Sequence, residues 1–129
     1  MKELFLKLLV LMLLTVLIPV GTGIQLAKAS AQTIYVDDDN AFGPWDGTQE
    51  HPYWNITSAI TRASTGDAIF AFNGTYREHL IIDKSVSLSG QSVHGTIICG
   101  NQRENVINIV ANGVNISKFT IQGSDQTSE

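Results

Sequence analysis

A single cysteine, Cys99, stands among the 129 residues. No internal disulfide can form, and an isolated cysteine of this kind reads as a small apolar filler in a strand. Basic residues are also scarce: eight Lys and Arg face twelve Asp and Glu, a formal net charge of −4. Beyond residue 31 only Lys84, Lys118, Arg62, Arg77 and Arg103 remain, against seven Asp and four Glu. Nucleic-acid affinity rests on Lys and Arg meeting phosphates, so this balance argues against DNA or RNA as a partner. The sequence holds no nucleophile–base constellation, no glycine-rich phosphate loop and no HExxH motif. Its three histidines, His51, His79 and His94, have no metal-ligand spacing.

Long apolar runs are confined to the start. Lys2 and Lys7 precede Leu8–Val20, and small residues follow with two A-x-A sites, Ala27-Lys28-Ala29 and Ala29-Ser30-Ala31. A spanning helix needs roughly 20 apolar residues, which this run does not reach. The three-part pattern is that of a secretory signal peptide over residues 1–31, with an uncleaved anchor as the alternative. No cysteine lies near the cleavage region, so lipid modification there is not indicated. The expected location is secreted or at the cell surface.

The remaining residues, 32–129, can bury one modest core. They are organised around Gly66–Gly90, where three short β-rich runs are each closed within a few residues by Gly, Asn, Asp or Lys. Strand candidates continue through Thr96–Ile98, Val106–Val110, Val114–Ile116 and Phe119–Ile121, and Thr33–Val36 precedes them. Thr96–Gly100 matches Phe119–Gly123 at an offset of 23, and Val86–Ser89 matches Val114–Ser117 at an offset of 28. The unequal offsets place an insertion near Gln102–Asn105. This is the pattern of an all-β solenoid, whose circuits bury their apolar faces only by stacking. A sandwich or small barrel is the alternative, with hairpins at Asn73-Gly74 and Asn112-Gly113.

One helix is expected. Asn55 is its N-cap, Ile56, Ala59, Ile60 and Ala63 form one apolar face, and Gly66 is its stop. Its task would be to cover the open end of the first circuit. Ahead of it, Asp37, Asp38, Asp39, Asn40 and Asp46 offer clustered oxygens that could suit calcium, with Asp37, Asp39 and Asp46 the named candidates. An Asx-rich turn ending a strand is the favoured reading there, because the EF-hand pattern fails at Ala41. Trp45 and Trp54 could stack on sugar rings, against the favoured reading that they wall the cap as buried aromatics. Asn55, Asn73 and Asn115 each open an N-x-[ST] sequon and are candidate N-glycosylation sites. The adjacent pairs Arg77-Glu78 and Asp83-Lys84 read as a solvated face.

The ordered series Thr33–Asn40, Gly43–Thr48, His51–Tyr53, Ala59-Ile60, Gly66-Asp67, Gly74–Glu78 and Lys84–Gly90 resembles the beginning of right-handed parallel β-helix proteins of the pectin-lyase-like superfamily. It is most similar to exported NosD-type surface proteins of archaea and bacteria, over about residues 33–123. The resemblance implies a capping helix followed by circuits of three short parallel strands. It also implies that the chain stops after two or three of the many circuits usual in such proteins, leaving an open C-terminal coil through which it could self-associate. Carbohydrate-active relatives work on a groove over their central coils, which are largely absent here, so no catalytic residue carries over. The copper association of the NosD name does not carry over either.

The expected function is an exported, non-catalytic module of a surface or secreted protein, structural or adhesive, contacting polysaccharide or cell-envelope glycans. The alternative is the N-terminal fragment of a carbohydrate-active enzyme of the lyase or hydrolase type. If the leader reading is right, N-terminal sequencing of secreted material begins at Ser30 or Gln32. An intact Met1 on membrane-bound protein would support the anchor instead.

Overall fold

The computed structural model describes residues 1–7, 30–100 and 105–123. Most of the expected leader, most of the expected insertion, and Ser124–Glu129 lie outside the described residues. Among the described residues no helix is long and apolar enough to cross a membrane.

Among the described residues from 30 onward, nine strands and one helix follow in the order β1 (Thr33–Val36), α1 (Ile56–Arg62), β2 (Ala68–Ala71), β3 (Gly74–Arg77), β4 (Leu80–Ile82), β5 (Ser87–Gly90), β6 (Thr96–Cys99), β7 (Ile107–Ile109), β8 (Asn115–Ser117) and β9 (Thr120–Gln122). They form three sheets with the orders β1-β2-β5-β8, β3-β6-β9 and β4-β7. Every strand ladder among the described residues is parallel. From β2 onward the chain visits the three sheets in a fixed rotation and returns to the first at β5 and again at β8. The hairpin alternative fails on this topology. Asn73-Gly74 leads into β3, and Asn112-Gly113 lies between β7 and β8, which belong to different sheets.

The core follows from the period-two alternation of side chains in a strand. Ile34, Ile69 and Leu88 are buried and sit in register on adjacent strands, with Ile116 continuing the row. Leu80 pairs with Ile107, and Tyr76 with Ile98 and then Ile121, on the other two sheets. Each fully buried aliphatic side chain is worth about 1.5–3 kcal/mol relative to exposure. The two internal repeats become registers: Leu88 opposes Ile116 and Ile98 opposes Ile121. The burial thins along the stack, and Ile109 and Ile121 are 49% and 52% exposed.

Strand β3 was not expected. Gly74-Thr75-Tyr76-Arg77 offers one apolar side chain, too few for alternation to register. Tyr76 nevertheless fills the core at 2% exposure, its hydroxyl donating to the Phe72 carbonyl at 2.9 Å with that of Val36 at 3.3 Å. A Cβ at Gly74 would overlap the Asp38 carboxylate, so glycine here lets Asp38 lie against β3.

Helix α1 packs against β1, β2 and β4 through Ile56, Ala59 and Ile60, with Ala63 buried just beyond. Asn55 Oδ1 accepts from the Ser58 N–H at 2.7 Å, as the capping pattern requires. Two expectations are corrected. Gly66 does not stop the helix; Ala63 ends it in an extended conformation, and Gly66, at φ +99°, serves the turn into β2. Glu78 and Lys84 are not a solvated face. The Glu78 carboxylate accepts from the Ile56 and Thr57 N–H groups at 2.7 and 2.8 Å. Lys84 Nζ donates to the carbonyls of Ile60, Thr61 and Ala63 at 2.9–3.0 Å. The unpaired backbone groups at both ends of a helix need partners, and here two charged side chains from the same circuit supply them.

The start of β1 is tied down by Asp67, which is 4% exposed. Its carboxylate accepts from the Ser64 N–H at 2.8 Å and the Gln32 N–H at 3.1 Å. Those two bonds, Ser64's first, hold its carboxyl below the usual range for aspartate. A depressed folded-state value means stability that is present above the unfolded-state value and lost as pH falls through the folded one. Asp67→Asn is therefore expected to be less stable than the parent at neutral pH. The gap should close in acid below the ordinary carboxylate range, as urea unfolding at the two pH values would report. A gap independent of pH would show that the charge of Asp67 contributes nothing.

Candidate functional site: an aromatic cleft beside the capping helix

The loop from Asp37 to Asn55 folds back along β1. Tyr53 N–H donates to the Tyr35 carbonyl at 2.9 Å, Asp37 N–H to the Tyr53 carbonyl at 2.8 Å, and Tyr35 N–H to the Gly47 carbonyl at 2.8 Å. The polar side chains of the loop hold its turns. Asp37 Oδ1 accepts from the Asp39 N–H at 3.1 Å, Asp46 Oδ1 from the Thr48 N–H at 2.8 Å, and Asn40 Nδ2 donates to the Pro52 carbonyl at 2.8 Å. Bonds from Thr48, with the nearby His51 adding to them, hold the exposed Asp46 carboxyl below its ordinary value. Asp38 Oδ2 accepts from the Thr75 N–H at 2.9 Å and so ties the loop to β3.

This places each residue singled out in the sequence. Asp37, Asp39 and Asp46 are not brought together, and among the described residues no group of three or more acidic, histidine or cysteine side chains could hold a metal ion. Asn55 is half-buried at the helix N-cap. Asn73 is exposed, but its Oδ1 accepts from Ser92 Oγ at 2.8 Å and Thr96 Oγ1 at 3.2 Å. Asn115 is exposed on β8 together with Ser117. Cys99 is buried in β6, where a filler would stand.

The tryptophans depart from the favoured reading. Trp45 and Trp54 do not wall a buried cap; they are 45% and 50% exposed. The reason is the loop itself: Trp45 Nε1 donates to the Asn40 carbonyl at 2.7 Å, which holds the indole on the outside of the turn. With Tyr53 they flank an open cleft of about 460 Å³ whose other side is the outer face of α1, carrying Thr57, Ser58, Thr61 and Arg62. Trp54 also borders a second cleft of about 330 Å³, shared with Asp38, Thr75, Arg77 and Glu78. One indole thus separates two depressions lined by hydroxyls and charged groups. Flat apolar walls beside hydroxyl and guanidinium donors suit a ligand with an apolar face and a polar rim, which is the chemistry of a pyranose ring.

The sequence did not reveal Asp38, Glu78 and Lys84 as the ties that shape this region. Their partners lie more than twenty residues away, and no local spacing marks them. No protein-family model matches the sequence, and comparison with curated proteins finds no match.

Gly47 sets the cleft geometry. It sits at φ +81°, and a Cβ there would approach the Tyr53 ring at 2.7 Å and Ile34 at 3.0 Å. Gly47→Ala is expected to cost about 1–3 kcal/mol, the strain of a left-handed non-glycine residue with an added clash. It should also shift the tryptophan fluorescence of the folded protein. An unchanged melting temperature and spectrum would show that the loop relaxes without disturbing the cleft.

Proposed function

We propose that this chain forms a helix-capped, right-handed parallel β-helix and acts outside the cytoplasm as a non-catalytic structural or adhesive module. Its glycan contacts would be made through the Trp45–Trp54 cleft. The rotation of the chain through three parallel sheets supports the architecture. The single observation that carries the function is the half-exposed pair of indoles flanking a cleft lined by hydroxyls. Large aromatics contribute most to a core when buried, so two left facing solvent beside polar groups favour recognition over packing. Self-association belongs to the same reading. The last strands carry half-exposed Ile109 and Ile121, and β7, β8 and β9 each pair on one side only among the described residues.

Trp45 and Trp54 are the two tryptophans of the chain, so its indole fluorescence reports on the clefts that they border. Titration with a panel of soluble polysaccharides should give a saturable fluorescence change with at least one of them, without shortening the polymer. Trp54→Ala should abolish that binding by an independent assay such as calorimetry, with an unchanged melting temperature. Silence across the panel would remove the glycan reading. Polymer cleavage would replace the module with the lyase or hydrolase alternative.

A further inference from the structure

Three places in the chain put glycine directly after Asn or Asp: Asp46-Gly47, Asn73-Gly74 and Asn112-Gly113. Such pairs share a chemistry. The glycine nitrogen attacks the side-chain carbonyl carbon of the preceding residue, unhindered by a Cβ, and closes a cyclic imide. From Asn the nitrogen gives up its proton to solvent, the C–N bond of the side-chain amide breaks, and ammonia leaves. Water then opens the imide at either carbonyl, giving aspartate or isoaspartate. The balance is one water in and one ammonia out, with no oxidant or cofactor.

The attacking nitrogen must be free, and the three sites differ in that respect. Gly47 N–H is bonded to the His51 carbonyl at 3.0 Å, and Gly74 N–H to the Gly95 carbonyl at 2.8 Å. At the second site the electrophile is held as well, because Asn73 Oδ1 accepts from Ser92 and Thr96 and Gly74 opens strand β3. At the third site both residues are exposed, and the Gly113 N–H has no hydrogen-bond partner among the described residues. Only its carbonyl is engaged, by Ser85 Oγ at 3.1 Å. We infer that Asn112, in the corner between β7 and β8, is a site of spontaneous deamidation in the folded protein, while the same chemistry at Asn73 is suppressed by the fold. The product carries a new negative charge. In its isoaspartate form it also lengthens the backbone by one methylene at a corner where Gly113 lies close against Ser85.

The test needs only the full chain, aged in mildly alkaline buffer with and without denaturing urea. Trypsin separates the two amide sites, releasing Ala63–Arg77 with Asn73 and Glu104–Lys118 with Asn112. Fragmentation mass spectrometry locates the amide-to-acid change, and labelling by an isoaspartyl methyltransferase confirms the rearranged product. In the folded protein Asn112 should convert about tenfold faster than Asn73 or more, the margin that a modest local opening cost would set. In urea the two rates should come together. Equal rates in the folded protein, faster loss of Asn73, or an Asn112 that reacts only in urea would each overturn the inference.

Discussion

Strands of three or four residues are too short to hold a sheet unless each rung is seated on the one before. That constraint governs this protein. Ile34, Ile69, Leu88 and Ile116 stand over one another across four parallel strands, and no circuit buries its own face without a neighbour. The outward positions are thereby freed from packing duty, which is why Ser87, Asn115 and Ser117 can be polar and exposed on the same strands. Helix α1 lies against β1, β2 and β4 and buries Ile56, Ala59 and Ile60.

Much of this stack could be read from the residues, because its signals are local. Short β-rich runs closed by turn residues marked β1, β2 and β4 to within a residue, and the matches at offsets of 23 and 28 correspond to the registers of β6 with β9 and β5 with β8. The helix was visible through Asn55 and its i, i+3, i+4 face. Strand β3 was hidden because a lone tyrosine gives no period. The stop assigned to Gly66 was misplaced because a positive φ serves a turn as well as a helix end. The ties made by Asp38, Glu78 and Lys84 were illegible for a different reason: they join elements far apart in the chain, so their meaning exists only after folding.

The candidate site shows the same division. Trp45 and Trp54 could be singled out from composition, but not their exposure. That depends on how Asp37–Asn55 turns back along β1 and on an indole N–H held by the Asn40 carbonyl. Three acidic residues of the loop act as turn keys in space: Asp37, Asp38 and Asp46 each give one carboxylate oxygen to a backbone N–H.

The bracketing of α1 by Glu78 and Lys84 has a thermodynamic side. A helix of seven residues has little stability of its own, so its formation is tied to closure of the circuit that carries both charged partners. Thr57 and Thr61 on that helix, and Glu78 beneath its first turn, also border the clefts around Trp54. Any molecule that fills those clefts is therefore linked to the folding equilibrium of the first circuit, and its affinity appears as added resistance to unfolding. A molecule held there would raise the cohesion of the strands that α1 covers.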